Sequence, residues 1–129
     1  LVKHRYLDKW ITERKRVAGL YHERLSQIDD VEVPVSHPDA RHIYTHYVVR
    51  VGDRDLVYGR MRDLGIGVGI HYQIPLHRQP AFAVDKIEIS GFPNTDRAAN
   101  SILSLPIYPE MTETQVDLVV ECLIGCIAG

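Results

Sequence analysis

The sequence predicts an α+β fold, in which a small sheet of three or four strands packs with helices and follows a long N-terminal helix. Apolar residues recur over residues 5–28 at the spacing of an amphipathic helix. Two later runs, residues 42–51 and 65–72, alternate as strands do. A capping box at Thr112 predicts the final helix. With 129 residues, the chain is expected to form one domain.

The composition is that of a globular protein, with 45% hydrophobic and 25% charged residues. A net charge of -2 gives no field that attracts nucleic acid or anionic lipid, and no apolar run approaches the ~20 residues of a membrane span. Cys122 and Cys126 lie four positions apart on a predicted helix, which predicts unpaired thiols and a reducing, cytoplasmic location. Because Leu1 already lies in helical sequence, we expect the chain to be a piece of a longer protein.

The N-terminal helix is predicted over Arg5 to Ile28. Arginine and lysine fill the positions opposite its apolar stripe. The stripe consists of Leu7, Trp10, Ile11, Val17, Ala18, Tyr21, Leu25 and Ile28. It either covers this domain's own sheet or packs on a partner beyond this chain, and the spacing is compatible with both.

Two strands are predicted next, a short one over Val31 to Val35 and a stronger one over residues 42–51. The connection between them is long enough for an antiparallel pair. His42 and His46 would lie on one strand face ~13 Å apart, which excludes a shared metal ion. One face of the second strand is predicted to carry Ile43, Thr45, Tyr47, Val49 and Val51.

Asp53 is predicted to cap a helix that ends at Leu64, with Gly65 as its left-handed stop. The predicted buried stripe is Leu56, Val57, Met61 and Leu64. Residues 65–72 then form a third strand that runs in the same direction as the second. It pairs either with the second strand in parallel or with the first in antiparallel fashion, and the sequence leaves both open.

The stretch from Gly65 to Gln79 has the character of part of a site. Gly67, Gly69 and His71 share one parity of the predicted strand, and interior glycines indicate that another backbone, a helix or a ligand comes close. Pro75 ends strand pairing, so that His77 and Gln79 are placed on a loop. The alternative is a strand followed by a surface loop whose two histidines are only solvated.

Residues 80–93 show no clean period and are predicted as a loop that covers a ligand or only connects. Asn94 is predicted to cap a helix over Asp96 to Leu103, followed by a short extended piece at 105–109. In the last helix, Thr112 and Gln115 form the capping box. Its predicted buried stripe is Val116, Val119, Val120, Leu123 and Ile127.

No phosphate-binding glycine loop, serine elbow, metal-spaced Cys/His cluster or carboxylate pair is recognisable. The Gly65-x-Gly67-x-Gly69 run precedes a histidine loop rather than opening a helix, so it is not a dinucleotide fingerprint. The residues therefore predict no metal site and no catalytic group.

Three runs carry a family resemblance: HYQIPLHRQ at 71–79, FPN at 92–94 and LSLPIYPEMT at 103–112. In this order they resemble the C-terminal domain of the DegT/DnrJ/StrS-type sugar aminotransferases, and the resemblance extends over essentially the whole chain. These are pyridoxal phosphate enzymes of the aspartate aminotransferase fold that act on nucleotide-linked keto sugars. The resemblance implies that residues 1–129 are the small domain, which begins with the helix over residues 1–28, and that the large cofactor-binding domain is absent.

The resemblance also implies which residues face the cofactor and sugar. The candidates are His71 and Tyr72, with His77 and Gln79 on the same loop. In a regular strand His71 and Tyr72 would point opposite ways, so a bend at Tyr72 is required. The sequence departs from the family's usual residues at Arg78 and at Thr95-Asp96, so substrate choice is not transferred from any relative.

A pyridoxal phosphate transaminase needs a lysine amine to hold its cofactor. None of the four lysines, Lys3, Lys9, Lys15 and Lys86, lies in a motif that suggests this role, and the family places its lysine upstream. We therefore expect this chain not to transaminate alone and not to hold pyridoxal phosphate by itself. The resemblance implies that the intact parent is a homodimer.

Two other functions remain open at this point. Relatives with histidine in place of the lysine perform sugar dehydration, so the parent could be a dehydratase. Alternatively the chain is a free-standing binding or interaction module without catalysis. The aminotransferase and the dehydratase both require a parent with about two hundred or more upstream residues, because the fold then has two domains.

Overall fold

We describe a computed structural model in which residues 2–83 and 91–129 are placed. The helices are α1 (Leu7–Leu25), α2 (Arg54–Asp63), α3 (Pro80–Ala83), α4 (Pro93–Ser101) and α5 (Glu113–Ala128), and the strands are β1 (Val31–Glu32), β2 (Tyr47–Val51) and β3 (Ile102–Leu105). The strands form one antiparallel sheet in the order β1-β2-β3. Helix α1 packs on α5, and α2 packs on α5 and on the sheet. The predicted α+β class is confirmed.

Helix α1 confirms the predicted N-terminal helix, with a 3-10 turn (Lys3–Tyr6) before it. Its second half is well covered, since Val17, Ala18, Tyr21 and Leu25 are all buried. In its first half Leu7 is exposed, and Trp10 and Ile11 are half-buried. The described chain thus covers only part of the predicted stripe.

Strands β1 and β2 form the predicted antiparallel pair, in which Val31 lies opposite Val51. Both strands are shorter than predicted. The chain from His42 to His46 is irregular because Tyr44 adopts a positive φ of 49°, which an extended strand does not allow. Of the five residues predicted to share one face of the second strand, the three that lie in β2, Tyr47, Val49 and Val51, do share a face, and that face is buried.

Helix α2 ends as predicted at a left-handed Gly65, whose φ is 79°. The predicted stripe is only half correct, because Val57 and Met61 are buried while Leu56 and Leu64 are exposed. Asp53 precedes the helix without a side-chain capping bond. Instead the first turn buries Arg54, whose guanidinium donates to the Ile102 carbonyl at 2.9 Å.

The predicted strand over residues 65–72 is wrong as a regular strand. One antiparallel bridge forms, between Gly69 and Ser104 of β3. The run therefore travels in the same direction as β2, as predicted, but its neighbour is β3 rather than either of the two candidate strands.

Strand β3 replaces the end of the helix predicted over Asp96 to Leu103. Helix α4 begins at Pro93, a residue suited to the first helical position, and Asn94 makes no capping bond. Leu103 and Leu105 pair with Val49 and Tyr47 of β2, and this pairing buries both leucines. Tertiary pairing therefore overrides the helical spacing at Ile102 and Leu103.

Helix α5 begins with the predicted capping box, in which Thr112 Oγ1 accepts from the Gln115 backbone and the Gln115 side chain accepts from the Thr112 backbone. The predicted stripe is buried except for half-buried Ile127.

Cys122 and Cys126 are unpaired, as predicted. Within the predicted 80–93 loop, α3 is helical, and the Lys86 to Ser90 run lies outside the described residues. None of the helices described here is long and apolar enough to cross a membrane.

Candidate functional site

Residues 71–79, which we call the site loop, follow the bridge between Gly69 and Ser104 of β3. The Gly69 amide donates to the Ser104 carbonyl at 3.0 Å, and the Ser104 amide donates to the Gly69 carbonyl at 2.7 Å. This reciprocal pair fixes the point at which the site loop begins.

His71 is held by two contacts at the start of the site loop. Its Nδ1 lies 2.9 Å from the Oγ of Ser104, which is 5% exposed. Its ring stacks on the ring of His46, with centroids 4.1 Å apart. The imidazole is otherwise exposed, and its Nε2 has no hydrogen-bond partner within the described chain. These two contacts orient the ring and leave its Nε2 without a hydrogen-bond partner among the described residues.

Gly69 makes room for the His71 ring. A Cβ at position 69 would lie 2.8 Å from Cε1 of His71, closer than real Cβ atoms approach. A Cβ at Gly67 would meet nothing within 4 Å. The interior glycines were expected to admit another backbone, a helix or a ligand. Within the described residues the only close group at Gly69 is instead the imidazole of His71, and Gly67 is open.

Tyr72 is 75% exposed. The chain turns at His71 and Tyr72 instead of continuing as a strand, so the required bend is present. The two rings lie edge to face with centroids 5.7 Å apart. Both side chains are therefore exposed next to each other at the same end of the site loop.

His77 lies at the other end of the site loop and has different partners. Its Nε2 is 3.0 Å from Oδ1 of Asp96, and its ring packs near Phe92 with centroids 5.1 Å apart. Gln79 donates from Nε2 to the Ile74 carbonyl at 3.0 Å and so braces the loop internally. The structure thus brings His71 and Tyr72 together, whereas His77 contacts α4 through Asp96.

Asp96 is a charged group in this region that sequence reasoning did not select as a site residue. The hydrogen bond from Arg78, with the positive charges of Arg78 and His77, lowers the pKa of its carboxyl below the usual value. Asp96 is therefore ionised at neutral pH. The same reasoning also missed Ser104 and His46, because neither residue carries a local signal for a contact made through the fold.

A groove of about 320 Å³ lies between the site loop and α4. Its lining is almost entirely apolar and consists of Tyr72, Ile74, Pro75, Leu76, Gln79, Thr95, Ala98, Ala99 and Ile102. Two of the four predicted site residues therefore line one cavity. A wider groove of about 900 Å³ runs between α1 and residues 34–44, and none of the four lines it.

No lysine among the residues that the structure describes is buried. Lys3, Lys9 and Lys15 are exposed on the N-terminal helical segment, and Lys86 lies outside the described residues.

Burial raises the pKa of the Cys126 thiol, which therefore stays protonated. Across residues 2–83 and 91–129 no group of three or more His, Cys, Asp or Glu side chains is arranged to hold a metal.

Comparison with known proteins shows what the chain is similar to. Residues 1–124 match the DegT/DnrJ/EryC1/StrS aminotransferase family. The chain is 34% identical over 122 residues to a pleiotropic regulatory protein of Geobacillus stearothermophilus, covering 93% of this chain and 33% of that protein. It is 34% identical over 127 residues to the dTDP-3-amino-3,4,6-trideoxy-alpha-D-glucose transaminase of Micromonospora megalomicea subsp. nigra, covering 95% and 34%.

A solved structure gives the same result for the fold. The chain superimposes on S. venezuelae DesV, solved in complex with a ketimine intermediate, with a TM-score of 0.88 and 28% identity. The superposition covers 95% of this chain and 33% of DesV. The chain thus spans about a third of the length of the relatives it matches.

Proposed function

The chain belongs to the DegT/DnrJ/EryC1/StrS aminotransferase family, and on that premise we propose that residues 1–129 are the small C-terminal domain of a nucleotide-sugar aminotransferase. The parent transfers an amino group from an amino acid such as glutamate to a keto sugar. The observation that carries the proposal is the match over residues 1–124 together with sugar-transaminase relatives three times as long. A missing large domain accounts for that difference in length.

Pyridoxal phosphate, the cofactor of this family, supplies the electron sink for amino transfer when it is bound. The lysines described here are exposed and far along the chain from the site loop, so we assign the cofactor-holding amine to the absent part of the parent. This chain alone is then inactive. The parent is proposed to be a homodimer, as the family resemblance implies. It is also proposed to lie in the cytoplasm, which is consistent with two unpaired thiols in this chain.

The contribution of this chain is one wall of the site. His71 is exposed and uses only Nδ1 in hydrogen bonding within the described chain, and the exposed Tyr72 lies beside it. Both donate hydrogen bonds to sugar or phosphate oxygens. His77 and Gln79 set the conformation of the site loop that carries them, through Asp96 and the Ile74 carbonyl.

The test is an assay of the full-length encoded protein with pyridoxal phosphate, glutamate and nucleotide-linked keto sugars. We expect an amino sugar and the keto acid of the donor in equal amounts. Release of a deoxygenated sugar without amine transfer would favour the dehydratase instead. A start codon immediately before Leu1 would contradict the proposal, because the binding module without a large domain would then be the whole protein.

A further inference from the structure

The far end of the site loop is held by a single carboxylate. Asp96, in the first turn of α4, lies 3.0 Å through Oδ1 from Nε2 of His77 and accepts through Oδ2 from the Arg78 guanidinium at 2.8 Å. Each carboxylate oxygen therefore has its own partner, and the two partners are consecutive residues of the site loop.

Few other bonds determine where the site loop lies. Three side-chain hydrogen bonds connect it to other elements of the described chain: His71 to Ser104, His77 to Asp96 and Arg78 to Asp96. Bonds inside the loop, such as Gln79 to the Ile74 carbonyl, hold its shape but not its position. Two of the three positioning bonds thus end on Asp96.

The surroundings of Asp96 strengthen these bonds. The Asp96 side chain is 26% exposed and the His77 side chain 12%, so this contact is shielded from water. A charged acceptor makes stronger hydrogen bonds than a neutral one, and a carboxylate in the first turn of a helix is favoured by the helix dipole.

Both attachments of the site loop belong to one continuous unit. Ser104 lies in β3, and Asp96 lies in α4, which leads directly into β3. The apolar groove lies between the site loop and α4, with Tyr72 and Leu76 on one side and Ala98 and Ala99 on the other. The width of the groove therefore depends on how closely the site loop is held to α4.

We propose that Asp96 is a positioning residue that clamps the site loop to α4 and so sets the width of the groove beside Tyr72. The part that concerns sugar binding rests on the proposed function. Asp96 does not touch the reacting groups in this account; it acts through His77 and Arg78.

The experiment compares D96N, which removes the charge at constant size, with D96E, which restores it, in the full-length encoded protein. The control is E121Q on α5, since Glu121 is exposed and forms no ion pair within the described chain. Hydrogen exchange of the amides of residues 72–79 is measured along with KM and kcat. We expect D96N to exchange faster in the site loop alone and to raise KM for the sugar by about tenfold, more than it lowers kcat. D96E recovers most of both.

Unchanged site-loop exchange in D96N would overturn the inference, as would a uniform increase over α1 and α5 or a D96E variant no better than D96N. If D96N does not fold, R78Q serves instead, because it leaves the His77 bond and should show a smaller change of the same kind. A parent without aminotransferase activity would remove the proposed function, while the exchange measurement would still decide whether Asp96 clamps the loop.

Discussion

Nδ1 of His71, on the surface, lies 2.9 Å from the Oγ of Ser104, which is buried in β3. This hydrogen bond connects a buried residue of the sheet to an exposed residue of the site loop. The orientation of the His71 ring is thus set by a buried residue of the sheet. Interactions of this kind are what a binding group needs for preorganisation.

Replacing Ser104 by Ala should release the His71 ring. The loss of a part-buried hydrogen bond is expected to cost about 1 kcal/mol of unfolding free energy, and kcat/KM of the parent should fall by about tenfold because the imidazole reorients. The matched control is S101A, since the Ser101 hydroxyl donates only within its own helix, to the Arg97 carbonyl at 2.9 Å and the Ala98 carbonyl at 3.4 Å. The ¹⁵N chemical shifts of the His71 ring report the change directly, and equal effects of the two variants would contradict the role of Ser104.

Gly69→Ala and Gly67→Ala form a second matched pair. A Cβ at position 69 clashes with Cε1 of His71 at 2.8 Å, whereas position 67 is open. Because the clashing atom ends a side chain, the ring can swing away, and the cost should fall on activity rather than on folding. We expect G67A to change the unfolding free energy by no more than about 0.5 kcal/mol and to leave kcat/KM intact. G69A activity equal to that of G67A would show that the position of His71 is unimportant.

The Asp96 carboxylate predicts an acid-dependent part of the stability. Its pKa is lowered in the folded protein, chiefly by the hydrogen bond from Arg78 and also by the charges of Arg78 and His77. A lowered folded-state pKa contributes stability above the unfolded value of about 4, which is lost as the pH falls through the folded value. The difference in unfolding free energy between the native protein and D96N should therefore be larger above about pH 5 than below about pH 4, and should shrink as the pH falls between them. A difference that does not change with pH would contradict this assignment.

The sequence predicted those parts of the fold that depend on local signals. Helix α1 follows from its spacing, α5 from the Thr112 and Gln115 capping box, and the end of α2 from Gly65. Strand β3 was missed because a short apolar run after a helix of small residues has no period of its own. Only pairing with β2 makes Ile102 to Leu105 extended.

The candidate site was predicted in part for the same reason. Proline and glycine predicted where the loop lies, but the glycine parity did not reveal that the group close to Gly69 is the His71 side chain. The contacts that fix the loop join residues far apart in the chain, such as Arg78 and Asp96, which lie 18 positions apart. Each was noted separately as a departure from the family pattern, but spacing cannot reveal that the two residues bind each other.

The central claim is that His71 forms part of a sugar-aminotransferase site, and its most direct test is the kinetics of His71→Ala in the full-length encoded protein. The control is H22A, since His22 is exposed on α1 and does not line the apolar groove between the site loop and α4. We predict that H71A lowers kcat/KM for the keto-sugar substrate by about tenfold or more. Its unfolding free energy should fall only about 1 kcal/mol below that of H22A, because the buried Ser104 hydroxyl loses its hydrogen bond to His71. H71A kinetics equal to those of H22A would contradict the account and return His71 to the role of a solvated surface histidine.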